Sequence, residues 1–416
     1  MTDAVAAMAS VRHCQPRKIT MTWTSVHVPM RILHTADWHL GRRLRGQDRT
    51  DEIARLLDEL LQRTVGLAVD LVVVAGDLFD GPNPSVEAQK VAYDFFLRLD
   101  RLGVPTVVVA GNHDSAAWID ALAGVLRLAG VHALGRPRRA GALRIETPGG
   151  LACVGALPFA SERRLLSYAD LWEGDGGRVQ VYREAMARLL GDLQRGFRDD
   201  AVNLAVAHLA TATARTARSE VEFYTRDAYA LPEALLPAEA QYVALGHIHT
   251  PQRLAGPATA CYSGSLLQVD FGEAGEQKGF FLVEVEPGGR PRLRFEPVEG
   301  PRPLRVIHCA LADLEEVLES ARHFEGWLKF VVTAETGVPG LAGRVRTVCP
   351  QALHVEVCLP QPAALAHDHP ASERFEPERA FVDYWLHRHG CEVPTEVQAV
   401  FLALYEETTV DAPPPA

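Results

Sequence analysis

Five stretches of this chain bring carboxylates, imidazoles and an amide together at spacings suited to holding a cation. They are Asp37-x-His39, Gly76-Asp77-Leu78-Phe79-Asp80, Gly111-Asn112-His113-Asp114, the lone His208, and Gly246-His247-Ile248-His249. Each has a plainer explanation when taken alone. Asp37-x-His39 suits an ordinary turn, Asp77 an Asx-turn or a helix cap, and the 111–114 cluster a capped connection. His208 suits a satisfied core histidine, and His247 with His249 a surface pair at a loop entry. What unites them is their place, because every one follows directly on a short apolar run. The donors are carboxylates, imidazoles and one amide oxygen with no thiolate, a set that suits manganese, iron or zinc over magnesium or calcium. Asp37, His39, Asp77, Asn112, His113, His208, His247 and His249 exceed what one ion needs. Two divalent ions sharing Asp77 accommodate them, in the arrangement used for in-line displacement at phosphorus.

Those residues need strands to carry them to a common edge. RILHT at 31–35, DLVVVAG at 70–76, PTVVVAG at 105–111, LACVGAL at 151–157, AVNLAVAH at 201–208 and QYVALGH at 241–247 read as strands. Amphipathic segments at 49–66 and 85–102 read as connecting helices, and 279–286 with 291–297 as a hairpin. This alternation is that of an α/β layer structure. The continuous Val-rich runs predict strands buried on both faces. In open α/β sheets ligands gather beyond the carboxyl ends of the strands, so distant segments are expected to converge on one site.

The 416 residues are 47% hydrophobic and 23% charged, which excludes a disordered chain and predicts two or three domains. Forty-two Lys and Arg against 53 Asp and Glu leave a formal charge of −11. Net attraction to nucleic acid is therefore absent, and a polyanion requires a local basic patch. The seven cysteines are scattered and never spaced C-x-x-C, which argues against disulfides or a thiolate zinc site and fits a reducing cytoplasm. No uncharged apolar run reaches the roughly 18 to 20 residues of a membrane span, so a soluble, unexported protein is expected.

Residues 1–29 show little periodicity and are expected to be a disordered arm or a non-native start. The main domain is expected over 30–298, with a Pro-rich and charged boundary near 296–305. LRVIHCAL, a helix near 311–321, LKFVVTA at 328–334, a short helix near 339–348 and ALHVEVCL at 352–359 predict a small α+β domain over 299–360. PQPAALAHDHPAS at 360–372 reads as a linker, which argues against His367 and His369 as ligands. Two amphipathic helices at 376–388 and 394–407, within a segment 373–409, carry Phe381, Trp385, Phe401 and Leu404. Those faces are expected either to pack internally or to dock on a partner. His387 and His389 are expected on a helix surface.

HTADWHLGRRL at 34–44, GDLFD at 76–80, VVAGNHDS at 108–115, ALGHIHTPQ at 244–252 and YSGSLLQVDFGE at 262–273 resemble, in order, the motifs of the calcineurin-like metallophosphoesterase superfamily. Within it they are similar to the bacterial DNA nuclease subunits that work with an SbcC-type ATPase. The resemblance implies a β-sandwich flanked by helices, a small capping domain and a C-terminal helical segment that binds the partner. It implies one metal on Asp37, His39, Asp77 and His249 and a second on Asp77, Asn112, His208 and His247. His113 takes the catalytic-histidine position, beside the phosphate and off the metals, with Asp80 or Asp114 orienting its ring. The implied activity is manganese-dependent: 3′-to-5′ exonuclease at double-strand ends and endonuclease on single strands and hairpins. A homodimer within a heterotetramer and a cytoplasmic, nucleoid-associated location are implied as well.

Arg42, Arg43 and Arg45 follow the first motif closely, and are expected either to meet DNA phosphates or to form a solvated basic turn. A phosphatase or small-molecule phosphodiesterase of the same superfamily is the enzymatic alternative. A DNA-binding scaffold with a vestigial metal site is the non-enzymatic one. A second domain and a helical tail favour a polymer substrate and a partner subunit, and the intact ligand set argues against a vestigial site.

Overall fold

The computed structural model describes residues 28–138, 141–161, 165, 175–216, 229–300 and 302–359, and single positions between 381 and 402. The chain forms two units, 1–359 and 360–416. The expected N-terminal arm lies almost wholly outside the described residues.

The first unit opens with β1 (Met30–Thr35), a ribbon of β2 (Arg43–Leu44) and β3 (Gln47–Asp48), α1 (Thr50–Gly66) and β4 (Leu71–Val74). It continues through α2 (Val86–Arg101), β5 (Thr106–Val109), α3 (Ala116–Arg127) and β6 (Val131–Leu134). Ser85 and Ser115 cap α2 and α3 by accepting from the main-chain N–H groups of Ala88 and Trp118. Next come β7 (Leu143–Thr147), β8 (Gly150–Leu157), α4 (Asp175–Leu193), β9 (Val202–His208), β10 (Tyr242–Gly246), β11 (Gln252–Arg253) and β12 (Ala260–Tyr262). The hairpin β13 (Gly279–Val285) and β14 (Arg292–Pro297) follows where the sequence predicts it.

Two six-stranded sheets result, ordered β14-β13-β1-β4-β5-β6 and β11-β12-β10-β9-β8-β7. β1, β4, β5 and β6 run parallel in the first, and β8, β9, β10 and β12 in the second. Alternate residues sort onto the two faces. Ile32, Leu71, Val73, Val107 and Val109 face Val154, Val202, Leu204, Val206 and Ala244 between the sheets. Leu33, Val72, Val74 and Val108 turn outward onto α1 and α2. Ala205, Ala207, Val243 and Leu245 turn outward beside Tyr182, Met186 and Leu190 of α4. The Val-rich strands are thus buried on both faces, each such side chain contributing roughly 1.5 to 3 kcal/mol of burial.

After Pro297 the chain builds a third sheet from β15 (Leu304–Ala310), β16 (Trp327–Thr333) and β17 (Ala352–Cys358), all parallel. The connecting helices α5 (Leu314–Ala321) and α6 (Leu341–Val348) pack Leu314, Leu318, Leu341 and Val345 onto Leu328, Phe330 and Val332. Leu304 and Trp327 join Leu44 and Phe271 in a small apolar cluster at the base of this sheet.

In the second unit the described positions from 381 to 385 and from 395 to 402 are helical. Phe381 stacks on Phe401, ring centroids 4.1 Å apart, so these two apolar side chains pack on each other. Leu404, His367, His369, His387 and His389 lie outside the described residues. Among the described residues, no helix is long and apolar enough to cross a membrane.

Candidate metal centre

Because β1, β4 and β5 are parallel neighbours, the loops that follow them leave from one edge and deliver Asp37, Asp77 and Asn112 side by side. β9 and β10, parallel neighbours in the facing sheet, deliver His208, His247 and His249 to the same place. Backbone hydrogen bonds fix the first two loops to each other: Asp37 N–H to the Gly76 carbonyl at 3.0 Å and His39 N–H to the Asp77 carbonyl at 3.1 Å. Asp37, His39, Asp77 and His247 all sit at positive φ, at 52°, 49°, 48° and 102°. Non-glycine residues there carry of order 1 to 3 kcal/mol of strain each, which the surrounding fold must impose. At Gly111 a methyl group would fall on the Asp77 carboxylate, and at Gly246 on the Ala75 carbonyl, so both positions need glycine for close approach.

The side chains converge on a compact set of donors. One ligand atom each from Asp37, His39 and His249 lie within 4.8 Å of one another, as do those of His39, Asp77 and His113 and those of Asp37, Asp77 and His208. Nε2 of His39 faces Nε2 of His249 at 3.1 Å and lies 3.8 Å from the Asp77 carboxylate. On the other side of Asp77, Nε2 of His208 is 3.5 Å from the same carboxylate oxygen, Oδ2. The Asn112 carbonyl oxygen lies 2.9 Å from His208 Nε2 and 2.9 Å from His247 Nδ1. Asp77 therefore stands between the two groups of donors.

Groups behind the cluster aim these rings. His208 Nδ1 donates to the Ala75 carbonyl at 2.8 Å, leaving Nε2 directed inward. His39 Nδ1 lies 3.2 Å from the Asp80 carboxylate. His249 Nδ1 pairs with Glu273 at 2.8 Å, and Glu273, fully buried, also accepts from Lys278 at 2.8 Å and from the Val269 N–H. Carboxylate support of this kind fixes the orientation of a metal-binding imidazole and raises its basicity. Burial pushes the His39, His208 and His247 imidazoles below their ordinary range, His247 to about 3. They are neutral at pH 7, each with a lone pair for a cation. Burial opposes the charges on Asp77 and Glu273, but the imidazoles beside each, with Lys278 for Glu273, hold both below the usual carboxylate range. Neutral imidazoles around ionised carboxylates and an amide oxygen fit a divalent metal site.

His113 reaches the rim through its main chain, whose N–H donates to Asp77 at 2.8 Å. Its Nδ1 meets the main-chain carbonyl of Asp80 at 3.1 Å, so a carbonyl, and neither the Asp80 nor the Asp114 carboxylate, orients the ring. The Asp114 carboxylate instead accepts from the N–H groups of Leu78, Phe79 and Gly111 and locks two ligand loops together. Arg42 is similarly committed, to Asp80 at 3.2 Å and to the Val269 carbonyl at 3.2 Å. Arg43 and Arg45 stand exposed on the β2–β3 ribbon, where Arg43 donates to the Gly46 carbonyl. Glu273 and Lys278 were not singled out as site residues by the sequence. Glu273 closes the YSGSLLQVDFGE stretch, but no spacing ties it to His249.

The model of the calcineurin-like phosphoesterases matches residues 30–251. The chain belongs to the calcineurin-like phosphoesterase family. Its relatives within that family include D subunits of the nuclease SbcCD. That of Bacillus subtilis is 36% identical over 305 residues, 72% of this chain and 78% of the relative. The Rhodobacter capsulatus subunit is 33% identical over 70% of this chain and 74% of its own length. The Escherichia coli K12 subunit is 29% identical over 79% of this chain and 84% of its own. All the strand-end donors of this phosphoesterase fall inside the matched segment.

Proposed function

We propose that this phosphoesterase is a two-metal DNA nuclease subunit that acts with an SbcC-type ATPase. The observation that carries the reading is the cluster itself, in which two groups of donors from two sheets meet across one shared aspartate. In this reading Asp37, His39, Asp77 and His249 hold one ion, and Asp77, Asn112, His208 and His247 the other. Two divalent ions, of the manganese, iron or zinc type that the donors suit and manganese by the family resemblance, would supply Lewis-acid polarisation of the phosphate and activation of a water. The chain's own contribution is placement. Asp77 sets the spacing, and the aimed imidazoles keep the cradle from rearranging during reaction. His113, on the rim with its Nδ1 held by the Asp80 carbonyl, presents Nε2 to the substrate side, where it stabilises developing charge or protonates the departing 3′ oxygen.

The names of the relatives support DNA as substrate and an SbcC subunit as partner. The proposed activities are 3′-to-5′ exonuclease at duplex ends and endonuclease on single strands and hairpins, in repair, replication and recombination at the nucleoid. Arg43 and Arg45, exposed beside the first ligand loop, supply the local positive charge that an acidic chain needs to meet phosphates. The end of α3 and the residue that follows it, with Val125 and Leu128 exposed at 64% and 85%, offer an apolar surface for the proposed homodimer. The helical positions between 381 and 402 are proposed as part of the ATPase-binding segment.

Side-by-side assay of hairpin DNA and p-nitrophenyl phosphate with manganese tests the reading. His113→Ala is expected to lose at least about 100-fold in hairpin cleavage while retaining its metals. Good turnover of the small ester alone would favour a phosphatase. Equal DNA cleavage by both proteins would remove His113 from the reaction.

A further inference from the structure

One polar group in the apolar layer between the sheets has no part in the chemistry above. His34, in β1, is fully buried in the layer that holds Ile32, Val73 and Ala244. Its Nδ1 lies 2.8 Å from the Tyr242 hydroxyl and its Nε2 3.2 Å from the Leu245 carbonyl, both in β10 of the opposite sheet. The chemistry fixes the proton positions. A carbonyl only accepts, so Nε2 carries the hydrogen, and Nδ1 accepts from the Tyr242 hydroxyl. Burial holds the imidazole neutral, as that arrangement needs.

A leucine or phenylalanine would fill this space without desolvating an imidazole and a phenol, so maximal stability does not account for the pair. Directional bonds do something apolar packing does not, which is to fix one strand's position along another. The two strands joined here carry ligands of both proposed ions: Asp37 and His39 of the first follow β1, while His247 of the second and His249 of the first follow β10. Asp37 lies three residues beyond His34. The Leu245 carbonyl belongs to the peptide immediately before Gly246, and His247 follows at its positive φ. The halves also touch directly, because the His247 N–H donates to both Asp37 carboxylate oxygens, at 3.1 and 3.2 Å.

We propose that His34 and Tyr242 are positioning residues: an inter-sheet latch that sets the register of β1 against β10 and thereby the spacing of the two metal-binding halves. The latch rests on the two-metal reading. It predicts that loosening it changes the relation between the ions before it changes the fold.

Manganese is the probe, read by equilibrium dialysis and by the electron paramagnetic resonance of the ion pair in the full-length protein. His34→Leu is expected to weaken binding of the second manganese by about 10-fold or more and to replace the coupled-pair spectrum with isolated-ion signals. Its circular dichroism should match wild type. His34→Gln, whose amide can donate to Leu245 and accept from Tyr242, should restore the coupled spectrum. Tyr242→Phe removes a single oxygen; it should weaken the second manganese in the same direction, and it gives the answer if His34→Leu fails to fold. Two manganese ions bound to both His34→Leu and Tyr242→Phe with wild-type affinity and an unchanged coupled spectrum would overturn the latch while leaving the two-metal reading intact. A wild-type protein that shows no coupled pair would overturn the two-metal reading, and the latch with it.

Discussion

At the scale of single residues the site depends on groups that never face the substrate. Glu273 holds His249 by its outer nitrogen, and Lys278 holds Glu273 in turn. Glu273→Gln keeps the shape but offers an amide where a carboxylate stood, so it is expected to lower manganese affinity by about 10- to 100-fold with little change in secondary structure. Titration of manganese into the variant checks this, and wild-type affinity would contradict it. His34 makes a second prediction, about acid. Burial pushes its pKa down to about 3, against a smaller opposing pull from the Leu245 carbonyl, whereas in the unfolded chain it titrates near its ordinary value of 6.5. Between those two values the unfolded state binds the extra proton. Stability is therefore complete above about pH 6.5 and declines as pH falls toward 3, by about 1.4 kcal/mol per pH unit for this one group. Urea unfolding of the chelated protein at several pH values should show a shallower acid decline for His34→Gln by about that amount. An identical slope would show that His34 does not carry the effect.

At the scale of elements, parallel strands explain why so much of the site was legible. LVVV and TVVV are unbroken apolar runs because both faces of β4 and β5 are buried, and a polar residue right after such a run has to emerge at the sheet edge. Asp37, Asp77, Asn112, His208 and His247 could be read from that position alone. Glu273 could not, since it returns to His249 from 24 residues away, past β11, β12 and the irregular stretch after Tyr262. Asp80 and Asp114 are both candidates to orient His113 in the sequence, but the Asp114 carboxylate accepts from the main-chain N–H groups of Leu78, Phe79 and Gly111, and the Asp80 carbonyl meets the ring. Arg42, Arg43 and Arg45 share one expectation in the sequence, DNA phosphates or a solvated basic turn, but Arg42 is taken by Asp80 and the Val269 carbonyl while Arg43 and Arg45 stay exposed. α3 and α4 went unread for a related reason. The AAWIDALAGVLR of α3 is nearly all apolar with little polar face to mark a period, and glycines interrupt the polar pattern of α4. Element packing also predicts that Gly111→Ala, whose methyl group would land on Asp77, costs about 1 to 3 kcal/mol of stability. Chemical unfolding together with manganese titration checks it, and unchanged values for both would mean that the β5 loop yields easily.

At the scale of the whole molecule, neither sheet owns the site. The first supplies Asp37, His39, Asp77 and Asn112, the second His208, His247 and His249, and between them lies an apolar layer that the His34–Tyr242 pair crosses. The proposed two-metal centre requires that the sheets keep a fixed relation, and the positive φ of four donors and the glycines at the points of closest approach fit that requirement. The measurement that bears most directly on this account is anomalous diffraction from crystals grown with excess manganese. Two peaks are expected about 3.5 to 4 Å apart, with an Asp77 oxygen bound to each, one ringed by Asp37, His39 and His249 and the other by Asn112, His208 and His247. A single peak, or two peaks with Asp77 bound to neither, would contradict it.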